Sequence, residues 1–81
     1  MVHPNPSSGA FQVNFVNVEH AVTKAKVSIL NALGQRLSES EMRLTWGQNP
    51  FSLDLSAYPA GLYLLHIEAG GRVAAARLLK Q

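Results

Sequence analysis

Histidine, carboxylate and serine side chains are the groups to consider first for catalysis or metal binding, because the chain contains no cysteine. The three histidines, His3, His20 and His66, do not stand at spacings typical of a protein metal site. Glu39 and Glu41 would share one face of a strand, where two like charges favour a solvated edge over an acid–base pair. The sequence therefore predicts neither a metal ion nor a cofactor.

Motifs for nucleophilic catalysis and for phosphate binding are not recognisable either. Ser56 follows Leu55 in a predicted loop, without the glycines that surround a nucleophile elbow. Gly70-Gly71 lacks the following helix that a phosphate-binding loop needs. A chain of 81 residues also leaves little room for a concave pocket. We expect a domain that is not an enzyme and that acts through its surface.

The charge pattern argues against nucleic-acid binding, and the hydropathy pattern argues against a membrane span. The net charge of +2 comes from basic residues scattered along the chain, whereas a nucleic-acid surface is denser and contains interleaved aromatic residues. No stretch approaches the ~20 apolar residues of a membrane span. The first residues do not resemble a signal peptide. We expect no nucleic-acid partner and no transmembrane segment. If the domain is exported, its signal lies elsewhere in a longer parent chain, and Met1 is then an added start residue.

Hydrophobic residues recur with the period of two that is typical of half-buried strands. Phe11, Val13 and Phe15 alternate with polar residues, and the apolar phase then shifts to Val16 and Val18. This shift predicts a bulge or a change of sheet near Phe15.

The remaining strands are separated by turn residues about every ten positions. Gly34 is expected to close a hairpin, and Gly70-Gly71 is expected to form the last one. Residues 47–50 are interpreted as a loop and residues 56–61 as a tight connection. The strands are expected at 25–29, at 35–38, from Glu41 through Met42, Leu44 and Trp46, at 51–55, at 62–69 as a central strand, and at 72–80.

Short strands with regular turns indicate an all-β fold, an immunoglobulin-like antiparallel β-sandwich of about seven strands. The length allows a single domain over residues 1–81. Within it, residues 1–9 are interpreted as a rigid linker that leads into the first strand, because Pro4 and Pro6 fix the backbone. Residues 10–81 would form the sandwich.

Several motifs, in order and over nearly the whole chain, resemble the type A C-terminal sorting domain of the bacterial type IX secretion system. Each motif alone is common in β domains, so their order carries the resemblance. The motifs are Pro4-Asn5-Pro6-Ser7-Ser8-Gly9 with Phe11, Val27-Ser28-Ile29-Leu30-Asn31-Ala32-Leu33-Gly34-Gln35, Leu53-Asp54-Leu55-Ser56 leading to Pro59-Ala60-Gly61-Leu62-Tyr63, and Arg77-Leu78-Leu79-Lys80. Many family members have lysine at the position of Arg77, and the charge is kept here.

The resemblance implies a secretion signal at the C-terminus of an exported protein. It implies recognition by the outer-membrane translocon and by shuttle and sortase proteins, with transit through the periplasm to the cell surface or the medium. Cleavage and attachment of the cargo to surface lipopolysaccharide commonly follow. By resemblance, the recognition residues are Gly61, Tyr63, Arg77, Leu78, Leu79 and Lys80, the processing junction is Pro4, Asn5, Pro6 and Gly9, and the structural turns are Gly34, Gly70 and Gly71.

The residues by themselves leave alternatives open. Tyr63 fits the corner tyrosine of sandwich folds, whose hydroxyl bonds back to a loop, so its role can be structural. Arg77 and Lys80 would point to opposite faces of a terminal strand, which could dock with a partner or be an edge strand protected by charge. The domain could also be an adhesion or carbohydrate-binding module, if Trp46, Phe51 and Tyr58 form an exposed row, or a spacer without specific partners.

Overall fold

The computed structural model describes residues 2–3 and 7–81 of the chain. In this part of the chain every regular element is a β-strand, and all strand pairs are antiparallel. None of the described residues belongs to a helix that could cross a membrane. The strands are β1 (Val2–His3), β2 (Ala10–Asn17), β3 (Lys24–Asn31), β4 (Arg36–Arg43), β5 (Gly47–Asp54), β6 (Gly61–Ala69) and β7 (Arg72–Lys80).

The strands form two sheets in the order β1-β2-β5 and β4-β3-β6-β7. The chain changes sheet between β2 and β3, between β4 and β5, and between β5 and β6. The predicted all-β, immunoglobulin-like sandwich is thus confirmed. The strand number differs from the expected seven, because the strands expected at 35–38 and from Glu41 to Trp46 are wrong: one continuous strand, β4, covers Arg36–Arg43 and ends before Leu44. Six strands therefore have eight or nine residues, and β1 is only a two-residue pairing.

The core lies between the two sheets. It contains the residues at alternate positions along the strands, whose side chains point inward. In β6, Tyr63, Leu65 and Ile67 are buried, as the alternation predicts, and β6 lies centrally between β3 and β7. Their partners in register are residues of β3 and β7. The other buried apolar residues are Phe11, Val13, Ala25, Val27, Ile29, Leu44, Leu55 and Leu78.

Both predicted glycine hairpins are present. Gly34 lies in the β3–β4 turn with φ 84°, and Gly70 and Gly71 connect β6 to β7 with φ 59° and 77°. Residues that carry a Cβ rarely adopt these positive φ angles, so glycine is required at these three positions.

The bulge or sheet change predicted near Phe15 is wrong. β2 pairs with β5 in unbroken register from Ala10 to Asn17. The inward face continues from Phe15 to Asn17, a buried polar residue, while Val16 points outward and is exposed. Asn17 can be buried because its Nδ2 donates to the carbonyl oxygens of Val22 at 2.9 Å and Thr45 at 3.3 Å. The apolar pattern in the sequence shifts after Phe15 because Asn17, whose side chain is an amide, occupies the next inward position.

The loop predicted at residues 47–50 is also wrong, because β5 begins at Gly47. Pro50 is tolerated because β5 is an edge strand, where a missing N–H need not break the sheet. Asn49 is buried, and its Oδ1 accepts from the Thr45 N–H at 2.8 Å. Its Nδ2 lies 3.2 Å from the Phe15 carbonyl oxygen and bridges β5 to β2. The polar residues that suggested a loop therefore fix the strand.

Candidate functional site

The recognisable sequence motifs meet at one end of the sandwich, although they are far apart in the chain. Asn31 at the end of β3 pairs with Tyr63, and Gly61 at the start of β6 pairs with Lys80. In the other sheet, Ala10 pairs with Asp54. We call this region the motif end. It comprises residues 7–10, 31–36, 54–61 and 80–81.

The first motif packs its described residues between the two sheets. The Ser7 N–H donates to the Leu79 carbonyl oxygen at 3.0 Å, and the Gln81 N–H donates to the Ser7 carbonyl oxygen at 2.8 Å. Gly9 lies so close to Ser56 that a Cβ at position 9 would be 3.2 Å from the Ser56 backbone. Glycine at this position therefore permits a close approach of two chain segments. The segment that leads into the sandwich is bonded to the last residues of β7.

The Asn31 side chain explains the second motif. Its Oδ1 accepts from the N–H groups of Leu33 and Gln35, each at 3.0 Å, and its Nδ2 donates to the Gln35 side chain at 2.8 Å. An asparagine that bonds its own turn in this way stabilises the turn without a partner protein. The Asn31 and Gln35 positions of this motif are therefore explained by their hydrogen bonds within the β3–β4 turn.

The third motif is a turn held by Asp54. The Ser56 N–H donates to Asp54 Oδ1 at 2.9 Å, and Leu55 between them is buried in the core. The Ser56 hydroxyl and backbone N–H, with a smaller contribution from the charge of Lys80, hold the pKa of the Asp54 carboxyl below its usual value, although desolvation acts in the opposite direction. Asp54 is thus a structural carboxylate.

Tyr63 is the corner tyrosine that the sequence suggested. Its hydroxyl donates to the Pro59 carbonyl oxygen at 2.5 Å, four residues upstream, and its ring is buried. The ring of Tyr58 packs against it, with centroids 5.8 Å apart. Tyr63 therefore holds the loop before β6 against the sandwich. A partner could reach little of this side chain.

The residues of the terminal motif, 77–80, point alternately to the two faces of strand β7. Leu78 is 0% exposed and pairs with Tyr63, so it belongs to the core. Lys80 lies on the same side of the strand and is half-buried. Its Nζ donates to the carbonyl oxygens of Ser56, at 3.3 Å, and Tyr58. The charge of Lys80 is held by the loop between β5 and β6.

Arg77 and Leu79 lie on the opposite face of β7, the outer face of the four-stranded sheet. Leu79 is 45% exposed and stands directly across from Leu62 on β6, and Arg77 stands across from Leu64. Leu64 in turn pairs with Leu30 on β3. These residues form a cluster of leucines around one arginine, which we call the leucine face. It consists of Leu30, Leu62, Leu64, Arg77 and Leu79.

The structure thus separates the residues suggested for recognition. Arg77 and Leu79 lie on the leucine face, whereas Leu78 and Tyr63 are in the core, and Gly61 and Lys80 belong to the motif end. Sequence reasoning did not assign a function to Leu30, Leu62 and Leu64. The apolar residues on both faces of β6 were the available signal, because a strand covered on one side only would be polar on the other. Pro4, Asn5 and Pro6 lie outside the described residues.

The aromatic residues that could have formed a sugar-binding row do not share a surface. Trp46 is 60% exposed and stacks on His20, with ring centroids 5.2 Å apart, at the end opposite the motif end. Phe51 packs against the core from β5, and Tyr58 packs on Tyr63.

The described residues also contain no group of three or more potential metal ligands.

No curated protein matches the chain. A family model described as a secretion system C-terminal sorting domain matches residues 1–81, the whole chain. The match covers every motif that meets at the motif end, together with both faces of β7. The chain belongs to the family of C-terminal sorting domains of the type IX secretion system.

Proposed function

We propose that the leucine face is the surface by which the type IX outer-membrane translocon recognises this domain. Membership of the family makes the chain a sorting signal for export across the outer membrane to the cell surface or the exterior. Such a signal must interact with the secretion machinery. The leucine face supplies the accessible part of the terminal motif.

The observation that supports this proposal is the division of β7. Arg77 and Leu79 face outward beside leucines of β6, whereas Leu78 and Lys80 face inward. An exposed apolar cluster is unfavourable in water and commonly marks a protein interaction site. The single arginine adds direction to such a contact, because its guanidinium pairs with carboxylates in a fixed geometry.

The motif end has a different role in this account. The hydrogen bonds that Ser7, Asn31, Asp54 and Lys80 make there are satisfied within the domain, and so is the bond from the Tyr63 hydroxyl to the Pro59 carbonyl oxygen. They attach the loop before β6 and the segment before β2 to the ends of β6 and β7, next to the leucine face. A sorting signal of this kind is read as a folded surface.

We further propose that residues 4–9 form the junction at which the cargo is processed, with cleavage followed by attachment of the cargo at the cell surface. Two prolines restrict the backbone on the N-terminal side of Ser7. Ser7 and Gly9 are bonded to the sandwich, so the C-terminal end of the junction is fixed. A junction that is fixed at one end would be presented to a processing enzyme in a defined position. On this proposal, the shuttle and sortase proteins act after the translocon.

The experiment is export of a cysteine-free reporter that carries residues 2–81 at its C-terminus. It is measured as the fraction of reporter at the surface or in the medium. The host has a working type IX system, and the matched control host lacks only the outer-membrane translocon. Deleting β7 would be a poor comparison, because it removes Leu78 from the core and should strongly destabilise the domain.

We expect export only in the host with the translocon, and only when the reporter carries the domain. Retention of the folded fusion in the periplasm of both hosts would overturn the sorting function. Normal export in both hosts would show that the domain uses another route. Trimming of the exported reporter near residues 4–9, measured by mass, would support the processing junction, and an untrimmed product would contradict it.

A further inference from the structure

The free edge of β7 differs from the other strand edges of the described sandwich. β4, the opposite edge of the same sheet, carries Arg36, Glu39, Glu41 and Arg43. β5 contains Pro50, and β1 is only two residues long. Charges, proline and short length are the usual means by which proteins keep an edge from pairing with another chain.

β7 has none of these protections over the segment 73–76. This segment, Val-Ala-Ala-Ala, is uncharged and lies between Arg72 and Arg77. Val73 is 61% exposed. An edge of this kind is a template for strand addition, so its lack of protection calls for a function.

The direction of the backbone groups shows which positions can pair. Ser7 bonds the Leu79 carbonyl oxygen and the Gln81 N–H, so these groups point away from β6. Backbone groups of an antiparallel strand alternate in direction, and those of Val73 and Ala75 therefore point the same way. Among the described residues, no strand pairs with β7 on this side apart from the bridge at Ser7. The same edge thus already accepts a backbone bridge from Ser7.

A groove lies beside this edge, where the two sheets are open. It has two adjoining parts of about 230 and 110 Å³, and Phe15, Ile67 and Ala74 line both. The inward residues of β7 here are alanines, whose small side chains leave the groove open. Alternate side chains of an added strand would enter this groove, as the pleat of a sheet requires.

The charges around the edge indicate the chemistry of the occupant. Arg72 and Arg77 stand at its two ends, and Arg72 is paired with Glu19 at 3.3 Å. A second copy of β7 would bring two more arginines to the same edge, which is unfavourable. A strand with apolar residues at alternate positions and an acidic residue at one end would complement it.

We infer that the β7 edge from Val73 to Ala76 accepts an extended, apolar, acid-flanked segment of a partner protein by β-strand addition. The inference rests on the proposed function, because the partner is taken to belong to the secretion machinery. The added strand would lie at the border of the leucine face. The machinery would then bind the side chains of the leucine face and the backbone edge of β7 together.

The first test removes a backbone donor from the edge. Ala75→Pro deletes an N–H that points away from β6, a change that an edge strand tolerates, and Ala75→Ser is the matched control that keeps the N–H. We expect export of the reporter to fall about tenfold for Ala75→Pro and to stay normal for Ala75→Ser. Normal export of folded Ala75→Pro would overturn the inference. If Ala75→Pro does not fold, Val73→Lys, with Val73→Thr as control, places a charge on the same edge and gives the same two outcomes.

The second test locates the partner directly. Because the chain has no cysteine, Val73→Cys carries one benzophenone probe, and Ser40→Cys on the charged edge of β4 carries the matched control. We expect a cross-linked adduct with a component of the machinery during export from position 73 and not from position 40. An adduct only between two copies of the fusion, or none while the fusion is exported, would refute strand addition. Failure of the unsubstituted fusion to be exported would instead refute the proposed function.

Discussion

Replacing Leu78 by alanine should destabilise the domain strongly, although its neighbour Leu79 can be changed at little cost. Leu78 is 0% exposed, and a Leu→Ala change at such a site costs about 2 to 5 kcal/mol of the free energy of unfolding. A domain of this size is stable by only about 4 to 12 kcal/mol. The change therefore removes a large fraction of the total.

The assay is thermal unfolding of the 81-residue chain followed by circular dichroism. For a domain of this length, each kcal/mol shifts the midpoint by about 4 to 8 °C, so a loss of about 3 kcal/mol lowers it by roughly 12 to 24 °C. Leu79→Ala is the control, and as an exposed substitution it should change the free energy of unfolding by less than about 0.5 kcal/mol. Equal destabilisation by the two changes would show that the assignment of inward and outward faces in β7 is wrong.

Three further changes test the bonds at the two ends of the sandwich. Tyr63→Phe removes the hydroxyl that bonds Pro59 and should cost about 1 kcal/mol in chemical denaturation, and an unchanged midpoint would contradict the corner role. Asn49→Ala leaves buried backbone groups without a partner and should cost about 1 to 3 kcal/mol in the same assay, whereas a loss below about 0.5 kcal/mol would show that the amide is dispensable. The pKa of Asp54 is lowered on folding by Ser56, so its contribution is complete above the ordinary carboxyl pKa and is lost as pH falls through the lowered value. Asp54→Asn should therefore reduce the drop in thermal midpoint between about pH 5 and about pH 2, and an identical drop would contradict this linkage.

The fold was largely predictable because alternation and turn residues act locally. Gly34 and Gly70 mark their hairpins through backbone angles that the sequence alone requires. Two predictions failed where a buried amide replaced an apolar side chain. Asn17 and Asn49 occupy inward positions, and each bonds a partner that is distant in sequence, Thr45 for Asn17 and Phe15 for Asn49, which the local pattern does not reveal.

The candidate site was predictable only in part. The sequence pointed to the terminal motif, but it did not separate the residues that fold the domain from those that face a partner. That distinction depends on which strand lies beside β7. The position of Leu62 across from Leu79 follows from the β6–β7 register, and Lys80 is bonded by a loop more than twenty residues away in the chain.

The most direct test of the leucine face is the surface fraction of the exported reporter when Leu79→Ser is compared with Leu37→Ser. Both leucines lie on strands of the same sheet, with 45% and 36% of their surfaces exposed, but Leu37 is on the other edge strand. Both variants should unfold at nearly the same temperature as the unsubstituted fusion. We expect Leu79→Ser to lower export about tenfold and Leu37→Ser to leave it unchanged. Equal export of the two folded variants would contradict the account.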